Sequence, residues 1–137
     1  MITIEQYVGK YTLDFNWNEA AKKNANQLLK QVNALIDYCA SKGILIPINP
    51  ATGSQVSGQT DGGFRGSTSV TGATFSAHRE GKAVDAYDPK EALDDYITKN
   101  PEILVKFNLY REHPSATSVW CHLTTRAPKS RRRTFFP

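Results

Sequence analysis

The chain has 137 residues, a net charge of +4 and 39% hydrophobic residues. That length holds one domain around one core, read here as a single domain over residues 1–137. No apolar run approaches the roughly 20 residues that span a bilayer, which excludes membrane insertion by a helix. The opening Met1-Ile2-Thr3-Ile4-Glu5-Gln6 lacks the basic start and apolar stretch of a signal peptide, so the expectation is synthesis in the cytoplasm without such a signal.

Charge is unevenly placed. Residues 126–137 carry Arg126, Lys129, Arg131, Arg132 and Arg133 and no acid, while the remaining chain carries 12 basic and 13 acidic side chains. The preferred reading of this basic tail is a solvated, frayed end. The sharper one is attraction to a polyanion such as nucleic acid or an anionic cell wall. Cys39 and Cys121 are the only cysteines, and without a secretion signal they read as free thiols.

In chain order, a long helix is expected over about Trp17 to Lys42. Asn16 followed by Glu19 has the spacing of a capping box. Leu28, Val32, Leu35 and Cys39 make one apolar stripe, widened by Leu29 and Ile36, and Gly43 stops the helix. Ile44–Ile48 reads as a short strand, with Pro47 pointing to an edge or a break. From Pro50 to Thr74 the chain is rich in Gly, Ser and Thr, with no Walker spacing. This reads as a long surface loop leading into a site.

Ala83–Tyr87 reads as a strand. Asp88, Pro89 and Glu91 suit the cap, first and third positions of a helix that runs to about Lys99. A second short helix is expected over Pro101–Phe107, then strands at Asn108–Glu112 and Ser118–Thr124. The order implies an α+β fold with a mostly antiparallel sheet.

The most informative stretch is Ser76-Ala77-His78-Arg79-Glu80-Gly81-Lys82-Ala83-Val84-Asp85. It sets an imidazole and a carboxylate seven positions apart, and Gly81 supplies the turn between them. His122 follows in Val119-Trp120-Cys121-His122-Leu123. Two histidines and an aspartate are a full set of protein ligands for a catalytic zinc, which keeps its fourth position open. Asp85 stands in an otherwise apolar strand, where a carboxylate is costly unless paired or bound to a cation. Imidazole plus carboxylate suits Zn²⁺, although iron and manganese accept such ligands too. Cys121 alternates with His122 along its strand, so it faces away from the site and reads as core. These residues point to a metal-dependent hydrolase.

Ser76, His78, Gly81, Ala83 and Asp85 match the S-x-H-x-x-G-x-A-x-D signature of the zinc D-Ala-D-Ala carboxypeptidases and the related L-alanyl-D-glutamate endopeptidases, often grouped with lysostaphin-type enzymes and the Hedgehog signalling domain. Trp120-Cys121-His122 resembles that family's W-x-H, and Gly63-Phe64-Arg65 its G-[FY]-R. The helix around Asn26–Ile36, Tyr110-Arg111-Glu112 and the late Arg126…Arg133-Thr134-Phe135 resemble short phage-encoded members. The resemblance covers roughly Asn16 to the C-terminus. It implies a Hedgehog/DD-peptidase-like fold with helices packed on one side of a small sheet, and zinc held by His78, Asp85 and His122.

By the same resemblance, Arg65 binds a substrate carboxylate or the developing oxyanion, against the plain reading of a solvated loop residue. Ser76 either orients substrate or a ligand, or is a turn hydroxyl. Many relatives place a glutamate three residues before the last histidine ligand, but here that residue is Val119. Glu112 and His113 are the remaining candidates for the general base. They alternate along a strand, so only one reaches the site, and Glu112 is preferred because a carboxylate is the usual base in such peptidases.

The resemblance therefore implies a monomeric phage endolysin-like peptidase acting on peptidoglycan stem peptides, reaching the wall after release or within a virion. Alternatives are a cytoplasmic D-Ala-D-Ala dipeptidase and a non-catalytic metal-stabilised binding domain. Nucleic-acid binding through Lys129–Arg133 is not expected: it leaves His78, Asp85 and His122 unexplained.

Overall fold

A computed structural model describes residues 1–137. It is an α+β fold with four α-helices and a small mixed sheet. The helices are α1 (Ile4–Val8), α2 (Glu19–Ser41), α3 (Ala92–Lys99) and α4 (Glu102–Lys106). The strands are β1 (Ala83–Tyr87), β2 (Tyr110–Glu112), β3 (Trp120–Thr124) and β4 (Thr134–Phe135). No helix is long and apolar enough to cross a membrane.

The sheet order is β1-β3-β2-β4. β3 pairs antiparallel with β1 and β2, and β4 lies parallel to β2. Alternation along the strands separates two faces. Val84, Ala86, Cys121 and Leu123 join one buried cluster with residues of all four helices, including Tyr7, Leu28, Val32, Leu35, Ile97 and Leu104. Asp85, Trp120 and His122 take the opposite face. Cys121 is fully buried away from that face, and neither cysteine is bridged.

The stripe of α2 is buried from Leu28 through Cys39, with Leu29 and Ile36 beside it. Its cap differs from the expected one. Asn18, not Asn16, accepts the Ala21 amide at 3.0 Å, while the Asn16 amide donates to Asp14 at 2.9 Å. Trp17 is drawn into the core against Tyr7 and Phe64, and the chain turns into the helix only after it.

Ile44–Ile48 forms no strand. Only Ile46 of that run is buried, and Leu45 and Ile48 face solvent. The edge of β1 that it could have paired is covered instead by the loop: Ser57 N donates to Asp85 O at 2.8 Å, Tyr87 N to Gln55 O at 2.8 Å and Asp85 N to Gly62 O at 2.7 Å.

α3 begins four residues beyond Asp88. Glu91 takes a left-handed conformation at φ 57°, so the chain cannot enter the helix at Pro89. Asp88 nevertheless caps from outside, accepting the amides of Leu93 at 3.0 Å and Asp94 at 2.9 Å. It takes no part in the metal constellation.

The tail is folded rather than frayed. Arg111 N donates to Arg133 O, and His113 N to Phe135 O, both at 2.7 Å. From behind the sheet, the buried Arg111 guanidinium ties three elements together. It reaches Asp94 O at 2.8 Å, Thr98 Oγ1 at 3.1 Å and Thr134 Oγ1 at 3.2 Å.

Candidate metal centre

Asp85 and His122 are direct partners across the β1–β3 ladder, which fixes their side chains on one face. His78 comes from a single 3-10 turn, Ala77–Glu80, just before β1. Ser76 caps that turn by accepting the His78 amide at 3.3 Å, and Gly81 ends it in the left-handed conformation at φ 74°. A Cβ at Gly81 would sit 2.5 Å from the Ala21 carbonyl oxygen of α2. The glycine therefore serves both the turn and the close approach to the helix.

His78 Nδ1 lies 2.8 Å from the Gly63 carbonyl, which can only accept. That contact puts the proton on Nδ1 and leaves Nε2 as a bare lone pair. His78 Nε2 is buried and has no hydrogen-bond partner. It faces Asp85 Oδ1 at 3.3 Å, and His122 Nδ1 faces the same oxygen at 2.9 Å. All three ligand atoms lie within 4.8 Å of one another. Tetrahedral coordination with ligands about 2.1 Å from a metal separates ligand atoms by about 3.4 Å. The set therefore fits a small cation with little movement, and the orphaned His78 nitrogen is the atom that most requires one.

Asp85 is buried. Burial pushes its carboxyl up, but the adjoining His78 and His122 imidazoles outweigh this and hold it well below the usual carboxylate range. Its second oxygen faces Arg65 Nη2 at 3.4 Å. The site thus keeps a formal anion ready without a metal.

The Gly63-Phe64-Arg65 segment divides its work. Gly63 orients His78 through its carbonyl, and a Cβ there would fall on the Tyr7 carbonyl oxygen. Phe64 is fully buried against Trp17 and Tyr11. Arg65 is buried beside Asp85, with Nε donating to Asp61 O at 2.8 Å. It is no solvated loop residue. The Asp61 carboxylate accepts from Tyr11, Ser69 and Thr71 and so fixes the loop around Arg65.

The three ligands open into a cleft of about 530 Å³. Glu112 lies in its wall, with Oε2 3.9 Å from His122 Nδ1. His113 lies outside it, just past the end of β2, where it caps the turn Pro114–Ala116. It stacks on Phe136 with ring centroids 4.4 Å apart and faces Ser115 Oγ at 2.8 Å. Of the two candidate bases, only Glu112 is brought to the ligands. Ser76 lines the cleft as well as capping the turn. Val119 is exposed, in a left-handed conformation.

Several cleft residues had no clear role in the sequence. Phe135 packs edge-on to His122 with centroids 6.3 Å apart. Arg126 Nη1 donates to Phe75 O at 2.9 Å and meets Glu80 at 3.3 Å, which joins the tail to residues on both sides of His78. The Phe135-Phe136 pair that follows the basic run was the available signal. Nothing local marked the Arg126–Phe75 contact, which spans 51 residues. Neither models of known protein families, nor curated proteins, nor solved structures gave a match to the chain.

Proposed function

We propose that the protein is a zinc-dependent peptidase that hydrolyses peptide bonds in bacterial peptidoglycan, with His78, Asp85 and His122 as the ligands. The observation that carries this reading is the buried, unpartnered His78 Nε2 converging with Asp85 Oδ1 and His122 Nδ1 on the floor of an open cleft, with Glu112 and Arg65 alongside. Zinc, when bound, polarises a scissile carbonyl and makes water acidic enough to attack near neutral pH.

The chain's own groups supply the rest. Glu112 Oε2 takes a proton from the attacking water and returns it to the leaving amine. Arg65, fixed by Asp61 O and Asp85, offers guanidinium N–H groups to charge developing on the carbonyl oxygen. The Gly63 carbonyl keeps the proton on His78 Nδ1, so that Nε2 stays available. Glu112 beside the ligands favours an enzyme over a non-catalytic binding domain. A cleft of about 530 Å³ is roomier than a dipeptide needs, which favours a longer substrate over the dipeptidase alternative. The wall as substrate rests on the resemblance of the S-x-H-x-x-G-x-A-x-D and W-x-H residues.

The test is digestion of purified peptidoglycan by zinc-loaded protein against a chelator-treated control, with mass spectrometry of the released peptides. Chelator-sensitive products are expected, and their new termini distinguish carboxypeptidase from endopeptidase cleavage. Zinc-loaded protein that releases nothing would remove the reading.

A further inference from the structure

The C-terminal segment holds five cations, and only two are engaged. Arg126 bonds to Phe75 O and Glu80. Arg133 donates to Leu109 O at 3.1 Å and lies over the Tyr110 ring at 4.4 Å. Lys129, Arg131 and Arg132 are exposed and make no ion pair or side-chain hydrogen bond. They sit on a built turn. Arg131 N donates to Pro128 O at 3.0 Å, Arg132 N to Ser130 Oγ at 3.3 Å, and Arg131 is left-handed at φ 58°.

Both feet of this turn are walls of the cleft. Arg126, Ala127 and Pro128 line it on entry, and Phe135 and Pro137 after the return. The Arg126 amide bonds to Thr124 Oγ1 at 3.0 Å, and β4 secures the other end. The turn that carries these three like charges is therefore anchored at both ends by cleft-lining residues, and no acid in the segment offsets their charge. On the cleft floor, by contrast, Asp85 already has Arg65 and two histidines. The three exposed cations are thus free to meet an anion that comes from outside the protein.

We propose that the turn Pro128–Arg132 is an anion subsite that selects peptides carrying a carboxylate on the stretch leaving the cleft past Phe135. A carboxylate of the substrate fits better than an extended polyanion. Three cations on one tight turn match a local charge, whereas polyanion binders commonly engage about 6–10 phosphates along a track. The selection rests on the peptidase reading for its consequence in turnover, but not for the binding preference itself.

The test measures binding and hydrolysis separately, with N-acetylated, C-terminally amidated alanine-rich heptapeptides that differ only by Glu, Gln or Lys toward one end. Binding is measured on zinc-loaded Glu112→Gln protein so that the peptide survives. The Glu peptide is expected to bind roughly tenfold more tightly than the Gln peptide at low ionic strength, with the difference shrinking as salt is added. Joint substitution Lys129→Gln, Arg131→Gln and Arg132→Gln should bring the two affinities together. The charge-reversing pair Lys129→Glu and Arg132→Glu should favour the Lys peptide, a gain that a misfolded protein could not show. Equal affinities in the parent protein, or a preference that survives the triple substitution, would overturn the subsite. So would short polyphosphate binding more tightly than the Glu peptide. If the preference is present but the wild-type enzyme hydrolyses neither peptide nor peptidoglycan, the subsite stands and the peptidase reading falls.

Discussion

Asp85 and His122 face each other across a five-residue strand ladder, and His78 stands on a turn fixed by Ser76, Gly81 and the Gly63 carbonyl. The rim of the same cleft is built differently. Phe75, Arg126 and Phe135 come from a long loop and from the tail, held by individual hydrogen bonds and a two-residue strand. The floor therefore has its geometry set by backbone pairing, which tolerates little displacement. The rim has its geometry set by side chains, which can be exchanged one at a time. This division suits the proposed hydrolysis: the atoms that would hold a metal sit on the rigid part, and the groups that would meet a substrate sit on the adjustable part.

The largest effect should come from the floor. His78→Ala, Asp85→Ala and His122→Ala should each lose bound zinc and hydrolysis together, by more than the roughly 100-fold typical of a group that only supports a ligand. Zinc content measured on the purified variants decides this, and unchanged content in all three would end the ligand assignment. Next comes Glu112, which lies beside the ligands without belonging to them. Glu112→Gln should retain zinc while turnover falls by about 10²–10⁴-fold. His113→Gln should leave turnover near the parent value, because that ring stacks on Phe136 outside the cleft. The reverse pattern would move the base to His113.

A backbone substitution tests whether the floor is as rigid as its hydrogen bonds imply. At Gly81 an alanine must adopt φ 74° and place its Cβ against the Ala21 carbonyl. Strain and overpacking together should cost about 2–4 kcal/mol, seen as a fall in Tm of roughly 10 °C. Zinc affinity should weaken at the same time, since the turn carries His78. An undisturbed Tm would mean that the turn and α2 can separate freely, and the contrast between floor and rim would lose its basis.

The same division governs how much could be read before the structure. The candidate triad was legible because each member lies in a short pattern whose spacing has a local meaning: histidine, turn glycine, then alternating strand. β1, the stripe of α2 and the burial of Cys121 followed from periodicity alone. The cap of α2 was missed because Trp17 answers to Tyr7 and Phe64 rather than to its neighbours. The Ile44–Ile48 strand was missed because strand propensity needs a partner, and the loop at 55–62 had already taken the edge of β1. The tail looked frayed because its order comes from pairing with β2, about two dozen residues earlier, and from Arg111, whose side chain reaches Thr134 from behind the sheet. Local patterns carried the floor; tertiary contacts made the rim.

The smallest effect concerns that rear attachment, where Asp94 and Arg111 are buried together with Nη1 3.3 Å from Oδ1. Burial raises the Asp94 carboxyl to about 6, against the opposing pull of the Cys121 thiol and the Arg111 charge. The folded protein therefore holds this proton more tightly than the unfolded chain, whose carboxyl titrates near 3.8. The resulting stability is fully present below pH 3.8 and is lost as pH rises through about 6. Asp94→Asn keeps a neutral group in place at every pH. The stability of this variant relative to wild type should therefore climb between pH 4 and 6.5 and then level off, by about 1–3 kcal/mol in all. Subtracting the two curves cancels the titration of Asp85 and the histidines, which are common to both proteins. Urea unfolding at a series of pH values gives the difference directly. A difference that stays flat across that range would mean that Arg111 holds the carboxylate charged throughout, and that the tail is fastened by an ion pair insensitive to acid.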